Sequence, residues 1–178
     1  MKITETPLRG AYLVELEPHS DERGFFARAY SPSEFRKQGL RDELTEMSLS
    51  RNIKAGTLRG MHFQKSPHEE TKLVRVVRGR AFDVIVDIRP ESPTFRQWHG
   101  QELSVENGRA LYVPAGFAHG FITREDQTDV LYQITDTYKS AAAAGLAWDD
   151  PTIAIQWPQA PSIISQADRS RPRLKNCL

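Results

Sequence analysis

The amino-acid sequence predicts an all-β fold, a sandwich or barrel built of short strands. Runs rich in Val, Ile, Phe, Tyr and Leu recur along the chain, and Gly, Pro, Ser and Asp separate them, a spacing typical of all-β domains. Helical patterns are scarce, and hydrophobic residues make up 39% of the chain, enough for a packed core. The predicted strands are Ala11–Glu17, Gly24–Tyr30, Met47–Asn52, Lys72–Arg78, Arg80–Arg89, Ala110–Val113, Phe121–Thr123 and Val130–Thr135.

The clearest strand, Arg80–Arg89, alternates with a period of two. Val84 and Val86 point to one face, and Asp83 and Asp87 point to the other. One face of such a strand is a candidate lining for a cavity.

One helix is well marked in the sequence. Ser31 is the expected N-cap, and Pro32 occupies the first helical position. Glu34, three residues after Ser31, completes a capping box, and Gly39 is the expected stop. We expect a short helix at the periphery of the fold.

The chain is expected to form one domain, 1–178. Its length suits a single core, and no repeat, low-complexity linker or change in composition marks a boundary. Ala141–Ala144 could add a helical turn, although four alanines are too few to be helical alone. The tail, Gln159–Leu178, is predicted to be irregular chain wrapped over the barrel.

Charge and cysteine content exclude several classes of protein. A formal net charge of +1 lacks the basic excess of proteins that bind nucleic acids or anionic membranes. No stretch approaches the roughly 18 apolar residues of a membrane span, and Met1–Glu22 lacks the pattern of a signal peptide. The single cysteine, Cys177, rules out an internal disulfide and a Cys-rich zinc site. These features predict a cytoplasmic protein.

The most specific local pattern runs from Gly108 to His119. It predicts a strand that turns sharply at Pro114 and Gly116 and then directs His119 into a cavity. The alternative is an ordinary turn with a surface histidine, which the apolar and aromatic residues around His119 disfavour. The pattern resembles the second sequence motif of the cupin superfamily and implies its double-stranded β-helix, or jelly roll.

The first cupin motif would be the segment from Gly60 to Gln64, followed by Glu69 or Glu70. Many cupins bind a metal through a His-x-His pair in this motif, but here the second histidine is Gln64. An amide oxygen is a poor ligand for a first-row metal compared with imidazole. The sequence therefore predicts a cavity without a metal.

Motifs along nearly the whole chain resemble those of the dTDP-4-dehydrorhamnose 3,5-epimerase family. These motifs occur in the order of the family, and several are six to eight residues long. They are Asp21-Glu-Arg-Gly-Phe-Phe26, Thr57-Leu-Arg-Gly-Met-His-Phe-Gln64, Lys72-Leu-Val-Arg75, Asp83-Val84 with Asp87-Ile-Arg89, Ser92-Pro-Thr94, Gly116-Phe-Ala-His-Gly-Phe121, Trp157-Pro158 and Ser165-x-x-Asp168.

The resemblance implies an enzyme that inverts carbons 3 and 5 of a 4-keto-6-deoxy sugar carried on a nucleoside diphosphate. His62 matches the base of the family, and Asp168 matches the carboxylate that orients it. Tyr132 matches the acid on the opposite face of the sugar. Lys72 matches the cation near the keto oxygen, where it would stabilise an enolate. No cofactor is implied.

The resemblance also implies substrate-binding residues and a homodimer. Arg23 and Arg59 match residues that meet the diphosphate, as a guanidinium fork can. His119 matches a histidine that contacts the sugar ring, and we expect Asp83 to be its partner. In the implied dimer, N-terminal strands cross to the neighbouring subunit, so Arg23 would serve the partner's site. The remaining candidates for substrate binding are Tyr138, Phe26 and Gln64.

Departures from the family pattern lie on the nucleotide side. Arg28 stands where a glutamate is common, and the register of Glu46–Asn52 is shifted by one residue. A family glutamate is replaced within Ala141–Ala144. Altered recognition groups change substrate choice, because an unpaired buried polar group costs about 1–3 kcal/mol. The carrier (dTDP, CDP or GDP), the sugar and the number of inverted centres stay open.

Three other functions remain alternatives at this point. They are a metal-dependent cupin, a non-catalytic sugar-binding cupin and a nucleotide-sugar ketoisomerase. Taken singly, a His or Tyr on a strand is more often a packed residue than a catalyst. The joint occurrence of a base, an acid, a cation and an orienting carboxylate favours the epimerase.

Overall fold

Two sheets stacked face to face confirm the predicted all-β fold. The computed structural model describes residues 1–176, so Cys177 lies outside the described residues. The strands are β1 Lys2–Glu5, β2 Tyr12–Glu15, β3 His19–Asp21, β4 Gly24–Phe26, β5 Glu46–Asn52, β6 Thr57–Gln64, β7 Lys72–Arg78, β8 Arg80–Asp87, β9 Trp98–Ser104, β10 Ala110–Val113, β11 Phe117–Thr123, β12 Thr128–Ile134, β13 Ala143–Gly145 and β14 Ile163–Ile164. The helices are α1 Pro32–Lys37, α2 Gln166–Arg169 and a 3₁₀ turn, Leu174–Asn176.

The chain crosses repeatedly between the two sheets. The first sheet has the order β1-β2-β10-β7-β12-β5, and the second has the order β13-β6-β11-β8-β9. Within both sheets the neighbouring strands are antiparallel, while β14 adds to β6 in parallel. A separate hairpin joins β3 to β4. Because the chain alternates between the two sheets from β5 to β8 and again from β9 to β13, residues distant in sequence meet in the space between the sheets.

The main core lies between the two sheets. The first sheet contributes Val74, Leu111 and Val130, and the second contributes Ile85 and Phe121. All five side chains are fully buried. Burial of such side chains is the dominant favourable contribution to stacking the sheets.

Two outer layers cover the backs of the sheets. Val84 and Val86 of β8 point away from the main core and pack with Leu146 and Leu174 of the C-terminal region. This arrangement confirms the alternation expected for β8, since Ile85 lies in the core between the sheets. On the first sheet, the corresponding cover is Phe35 of α1.

Helix α1 begins and ends where the sequence predicts. Ser31 is the N-cap and Pro32 starts the helix, while Gly39 follows its end with a φ of 71°. The predicted capping box is wrong, because the Ser31 side chain makes no capping hydrogen bond to the helix backbone. The Ser31 hydroxyl contacts that of Ser33 at 3.0 Å, and Glu34 pairs with a lysine one turn on. Within residues 1–176, no helix has the length and apolar character needed to cross a membrane.

The segment Ala141–Ala144, where a helical turn was considered, contributes to a strand instead. Residues Ala143–Gly145 form β13, which pairs antiparallel with β6 and places Gly145 opposite His62. The free edge of β6 offers a full row of backbone donors and acceptors. Pairing with that edge outweighs the weak helical preference of four alanines.

The tail is more regular than predicted. Within Gln159–Leu178, the described residues form β14, α2 and the 3₁₀ turn. The buried carboxylate of Asp150 accepts hydrogen bonds from the backbone of Leu174 at 2.7 Å and from Thr152. This carboxylate anchors the tail to the outer layer of the second sheet.

The predicted strands differ from the observed ones mainly in length and number. Lys72–Arg78 and Ala110–Val113 match β7 and β10, whereas the strand expected at Gly24–Tyr30 ends at Phe26. Strands β1, β3, β6, β9 and the edge strands β13 and β14 were not predicted. Short edge strands depend on a neighbour for their hydrogen bonds, so their local sequence carries little signal.

Strands β6 and β11 approach each other unusually closely. Gly60 has a φ of 133°, and a Cβ atom built there would lie 2.5 Å from the Cα of Gly120. Only glycine tolerates both the dihedral angle and the contact. This approach sets His62 directly opposite His119 in the strand register.

Replacing Gly60 by alanine is expected to destabilise the fold strongly. We expect Gly60→Ala to lower the free energy of unfolding by roughly 3 kcal/mol or more, because strain and a backbone clash add. The matched control is Gly24→Ala, since Gly24 has a similar φ of 124° but no atom within 4 Å of the added Cβ. Urea unfolding measures both variants, and equal losses would contradict the close contact.

Candidate active site

A cavity of about 360 Å³ opens between the two sheets. Its size suits a small-molecule ligand. The residues predicted for the site that line it are Arg59, His62, Gln64, Lys72, His119, Tyr132 and Tyr138. The second sheet supplies His62 and His119, whereas the first sheet supplies Lys72 and Tyr132.

His62 is held by a carboxylate from the C-terminal tail. Its Nε2 lies 2.6 Å from Oδ1 of Asp168, and the second carboxylate oxygen accepts from the backbone of Gly60 at 3.3 Å. The Ser165 hydroxyl caps α2 by accepting from the backbone of Asp168 at 3.0 Å. The cap, the strand and the hydrogen bond together fix the imidazole, as the sequence predicts.

The environment of His62 favours its neutral form. Burial lowers the pKa of His62 below its ordinary value of 6.5. Asp168 opposes this shift, while the positive charges of Lys72 and Arg171 add to it. A neutral imidazole has a lone pair with which to accept a proton. The site therefore contains a histidine prepared to act as a base near neutral pH.

His119 has the partner expected from the sequence. Its Nε2 lies 2.9 Å from Oδ2 of Asp83, and both side chains are buried. The alternative of a surface histidine is therefore wrong. The ring of Tyr132 meets that of His119 edge-on, with centroids 5.8 Å apart and an interplanar angle of 84°. This contact joins the two sheets across the cavity.

Tyr132 is a protonated phenol at any ordinary pH. Burial raises the pKa of Tyr132 far above its usual value of 10, and the negative charge of Asp83 adds to the shift. A phenol that stays protonated donates its O–H rather than acting as a base. Tyr132 thus has the protonation state that an acid requires.

Lys72 forms an ion pair with Glu70, which the sequence placed only in a possible metal motif. Its Nζ lies 2.8 Å from Oε1 of Glu70, and the other Glu70 oxygen accepts from the Gln64 amide at 3.0 Å. The Gln64 amide also donates to the His68 carbonyl and accepts from the backbone of Lys139. The two side chains therefore hold the ammonium of Lys72 at the cavity wall.

The same hydrogen bonds bear on a metal site. No group of three or more His, Cys, Asp or Glu side chains is placed to hold a metal within the described part of the chain. Gln64, at the position of the missing ligand histidine, already uses both ends of its amide. Its contacts suit a supporting role beside Glu70.

Two further predicted residues lie at the mouth of the cavity. The Nε of Arg59 donates to Oδ1 of Asn52 at 2.8 Å, which holds the guanidinium along β6. Tyr138 is 60% exposed, and its backbone donates to Glu46 at 3.4 Å. Both are accessible to a ligand that extends out of the cavity.

Arg23 and Phe26 lie away from the cavity of their own chain. Arg23 pairs with Asp21 at 2.5 Å on the exposed β3–β4 hairpin. Phe26 is 76% exposed, and Phe25 beside it is 63% exposed. Within one subunit these residues do not join the other candidates, so their predicted role requires a second copy of the chain.

Several cavity residues were missed by the sequence analysis. Glu46 and Ser48 reach the cavity from β5, and Ser48 lies opposite Tyr132 in the register. Their alternation along an extended strand is a signal for a shared face. Arg171 also lines the cavity, three residues after Asp168. It lies just after the end of α2, with its Nε 3.9 Å from Oδ1 of that carboxylate.

Comparisons with known proteins identify the family of the chain. The family model for dTDP-4-dehydrorhamnose 3,5-epimerase matches residues 5–176. A curated dTDP-4-dehydrorhamnose 3,5-epimerase from Sinorhizobium fredii is 43% identical over 91% of this chain and 84% of that protein. Epimerases are isomerases, and this protein is therefore an enzyme of that class.

Solved structures share the fold as well as the sequence. The dTDP-4-dehydrorhamnose 3,5-epimerase of Bacillus anthracis, solved with TDP and pyrophosphate bound, is 42% identical, with a TM-score of 0.93 over 97% of this chain and 98% of that chain. A 3,5-epimerase of Legionella pneumophila, in complex with dTDP-4-keto-L-rhamnose, is 37% identical, with a TM-score of 0.92 over 98% and 93%. The cupin-type fold is thereby confirmed, and the chain belongs to the dTDP-4-dehydrorhamnose 3,5-epimerase family.

Proposed function

We propose that the chain epimerises a dTDP-linked 4-keto-6-deoxy sugar at carbons 3 and 5. The observation that carries this proposal is the placement of a neutral histidine and a protonated tyrosine on opposite sheets of one cavity, with Lys72 beside them. The substrate class is supported by the dTDP-4-keto-L-rhamnose bound to one relative and by the TDP bound to another.

The first step is removal of a proton next to the ketone. Nε2 of His62 is engaged with Asp168, so Nδ1 is the ring nitrogen that accepts the proton. The electron pair of the broken C–H bond passes into an enolate, and the negative charge collects on the C4 oxygen. The ammonium of Lys72 stabilises that oxygen. Asp168 stabilises the imidazolium that forms.

The second step returns a proton to the other face of the same carbon. Tyr132 projects from β12 in the first sheet, whereas His62 projects from β6 in the second. The O–H of Tyr132 gives a proton to the enolate carbon, and the ketone reforms. Exchange with water then restores both side chains. Because C3 and C5 both adjoin the C4 ketone, the same groups serve each centre.

The remaining candidates bind the nucleotide sugar. We assign Arg59 to the diphosphate, His119 to the sugar ring and Tyr138 to the mouth of the site. Arg23 and Phe26 of the partner subunit complete the nucleotide side in a homodimer. Exposed Phe25 on the β3–β4 hairpin supports this assembly, since an apolar side chain in water gains by burial against a second copy.

Several expectations from the sequence belong to the same proposal. Residues 1–178 act as one catalytic domain in the cytoplasm, where a reducing environment suits a chain with a single cysteine. The proton transfers use side chains of this chain alone. Of the segments that depart from the family pattern, Glu46–Asn52 and Ala141–Ala144 both contribute to the cavity. They are the places where the preference for a sugar or a carrier is set.

Deuterium incorporation tests the function directly. The enzyme is incubated in deuterium oxide with dTDP-, CDP- and GDP-linked 4-keto-6-deoxy sugars, and NMR locates the label. We expect label at carbons 3 and 5 of the dTDP sugar, and a loss of roughly 10²–10⁴-fold in His62→Asn, because proton abstraction needs the base. The control is His68→Asn, an exposed histidine outside the cavity.

Each outcome of this experiment has a defined meaning. Label at one carbon would reduce the activity to a single-centre epimerase, and label with a shifted carbonyl would mark a ketoisomerase. No label with any carrier, while a known epimerase works under the same conditions, would overturn the proposal and favour a binding protein.

Tyr132→Phe is expected to separate exchange from inversion. His62 still removes the proton and returns deuterium to the same face, but no acid serves the opposite face. The ratio of inverted product to exchanged substrate should fall by roughly 10²-fold or more. Tyr12→Phe, a tyrosine on the same sheet outside the cavity, is the control. Parallel loss of exchange and inversion in Tyr132→Phe would show that Tyr132 is not the acid.

The pH profile should reflect both shifted groups. His62 works as a base when neutral, and burial lowers its pKa below 6.5. The acid limb of kcat/KM should therefore have its midpoint below pH 6.5. The raised pKa of Tyr132 adds no alkaline limb below its ordinary value of 10. Rates measured from about pH 4.5 to about pH 9 test both limits, since this range extends about two units on either side of neutral pH. A midpoint above 6.5 would contradict this environment for the base.

A further inference from the structure

Arg171 stands beside the His62–Asp168 pair. It follows α2, and its Nε lies 3.9 Å from Oδ1 of Asp168, the oxygen that also meets His62. Its side chain is 29% exposed and lines the same cavity as His62. The proposed proton transfers use His62 and Asp168 but give no role to Arg171.

The surrounding backbone is shaped to hold this side chain. A Cβ atom built on Gly145 would lie 2.9 Å from the Arg171 Nε and 2.5 Å from the Met61 carbonyl. The small residues Ala143 and Ala144 complete β13 beside it. Within residues 1–176, the buried Nε of Arg171 has no hydrogen-bond acceptor. Strand β13 therefore leaves space for the guanidinium of Arg171. A hydrogen bond from the Nε does not account for its position within the described residues.

A base held by a carboxylate faces a conflict. The negative charge of Asp168 orients the ring and also favours the imidazolium, which has no lone pair to accept a proton. A resting base must be neutral. A positive charge near the His62–Asp168 pair opposes protonation of the imidazole. It does so without disturbing the hydrogen bond between the two side chains.

We propose that Arg171 is a positioning residue for proton abstraction, whose positive charge beside Asp168 favours the neutral, proton-accepting form of His62. The inference rests on the proposed role of His62 as the base. It is supported by the 3.9 Å approach to the shared carboxylate oxygen and by the space that Gly145 provides. Arg171 acts through the pair and needs no contact with the reacting carbon.

The other charges around His62 remain in place when Arg171 is changed. Strand β13, paired with β6 on one side of His62, brings no ionisable group, and Asp168 faces the ring from α2. The other titratable or charged groups that share the cavity are Glu46, Arg59, Glu70, Lys72, His119, Tyr132 and Tyr138. A change in the titration of His62 between variants at Arg171 therefore reports the lost guanidinium.

The test is the titration of His62 by NMR in the full chain without substrate. Histidine-labelled protein is used, and His62→Asn assigns the signal. We expect Arg171→Gln to raise the apparent pKa of His62 by on the order of half to one pH unit, because a neighbouring positive charge is lost. Arg171→Met, which is also neutral, is the second variant if the first fails to fold.

Two matched variants separate charge from structure. Arg171→Lys keeps the positive charge and should leave the titration near that of the unchanged protein. Arg169→Gln removes an exposed cation from the last residue of α2, two positions before Arg171, and should also leave the titration there. Neutral variants that leave the pKa of His62 unchanged or lower it would overturn the inference. An equal shift in Arg169→Gln would do the same.

Kinetics provide a second readout. The acid limb of kcat/KM should move to higher pH in Arg171→Gln by the same amount as the NMR titration, and Arg171→Lys should restore it. Because the NMR titration needs no substrate, it stands even if no 4-keto sugar is turned over. Failure of the proposed function and failure of the role of Arg171 are therefore distinguishable.

Discussion

Polar and charged side chains that are withdrawn from water need partners, and this constraint governs the cavity. His62 meets Asp168, His119 meets Asp83, and Lys72 meets a neighbouring glutamate. An unpaired charge in such a place costs several kcal/mol, whereas a pair with good hydrogen bonds is tolerated. His62 and His119 therefore require partners from distant parts of the chain, whereas Lys72 pairs with a residue two positions before it. The route of the chain around the cavity supplies these partners.

The sandwich itself provides the geometry that epimerisation requires. Inversion of a carbon needs a base on one face and an acid on the other, and two facing sheets supply one wall each. Burial acts in opposite directions on the two groups: it lowers the pKa of His62 and raises that of Tyr132. One shared environment thus favours a neutral imidazole and a protonated phenol, the states that the proposed base and acid require.

The sequence predicts those features that depend on local pattern. The alternation of β8 and the boundaries of α1 follow from side-chain spacing, and the candidates His62, Lys72 and Tyr132 do meet in one cavity. It does not predict β13, because the edge of another strand decides that pairing. Nor does it predict Arg171 beside the base, since a helix of four residues is fixed by its capping and docking rather than by its composition.

The hydrogen bond between His62 and Asp168 spans 106 positions of the chain. Every strand of both sheets precedes Asp168, so a ribosome delivers the partner of the base after all the sheet-forming segments. Folding during synthesis proceeds from the N-terminus. The sandwich therefore has its strands available before its chemistry is possible. The proposed catalytic pair is therefore completed late in biosynthesis, once the chain has been made through α2.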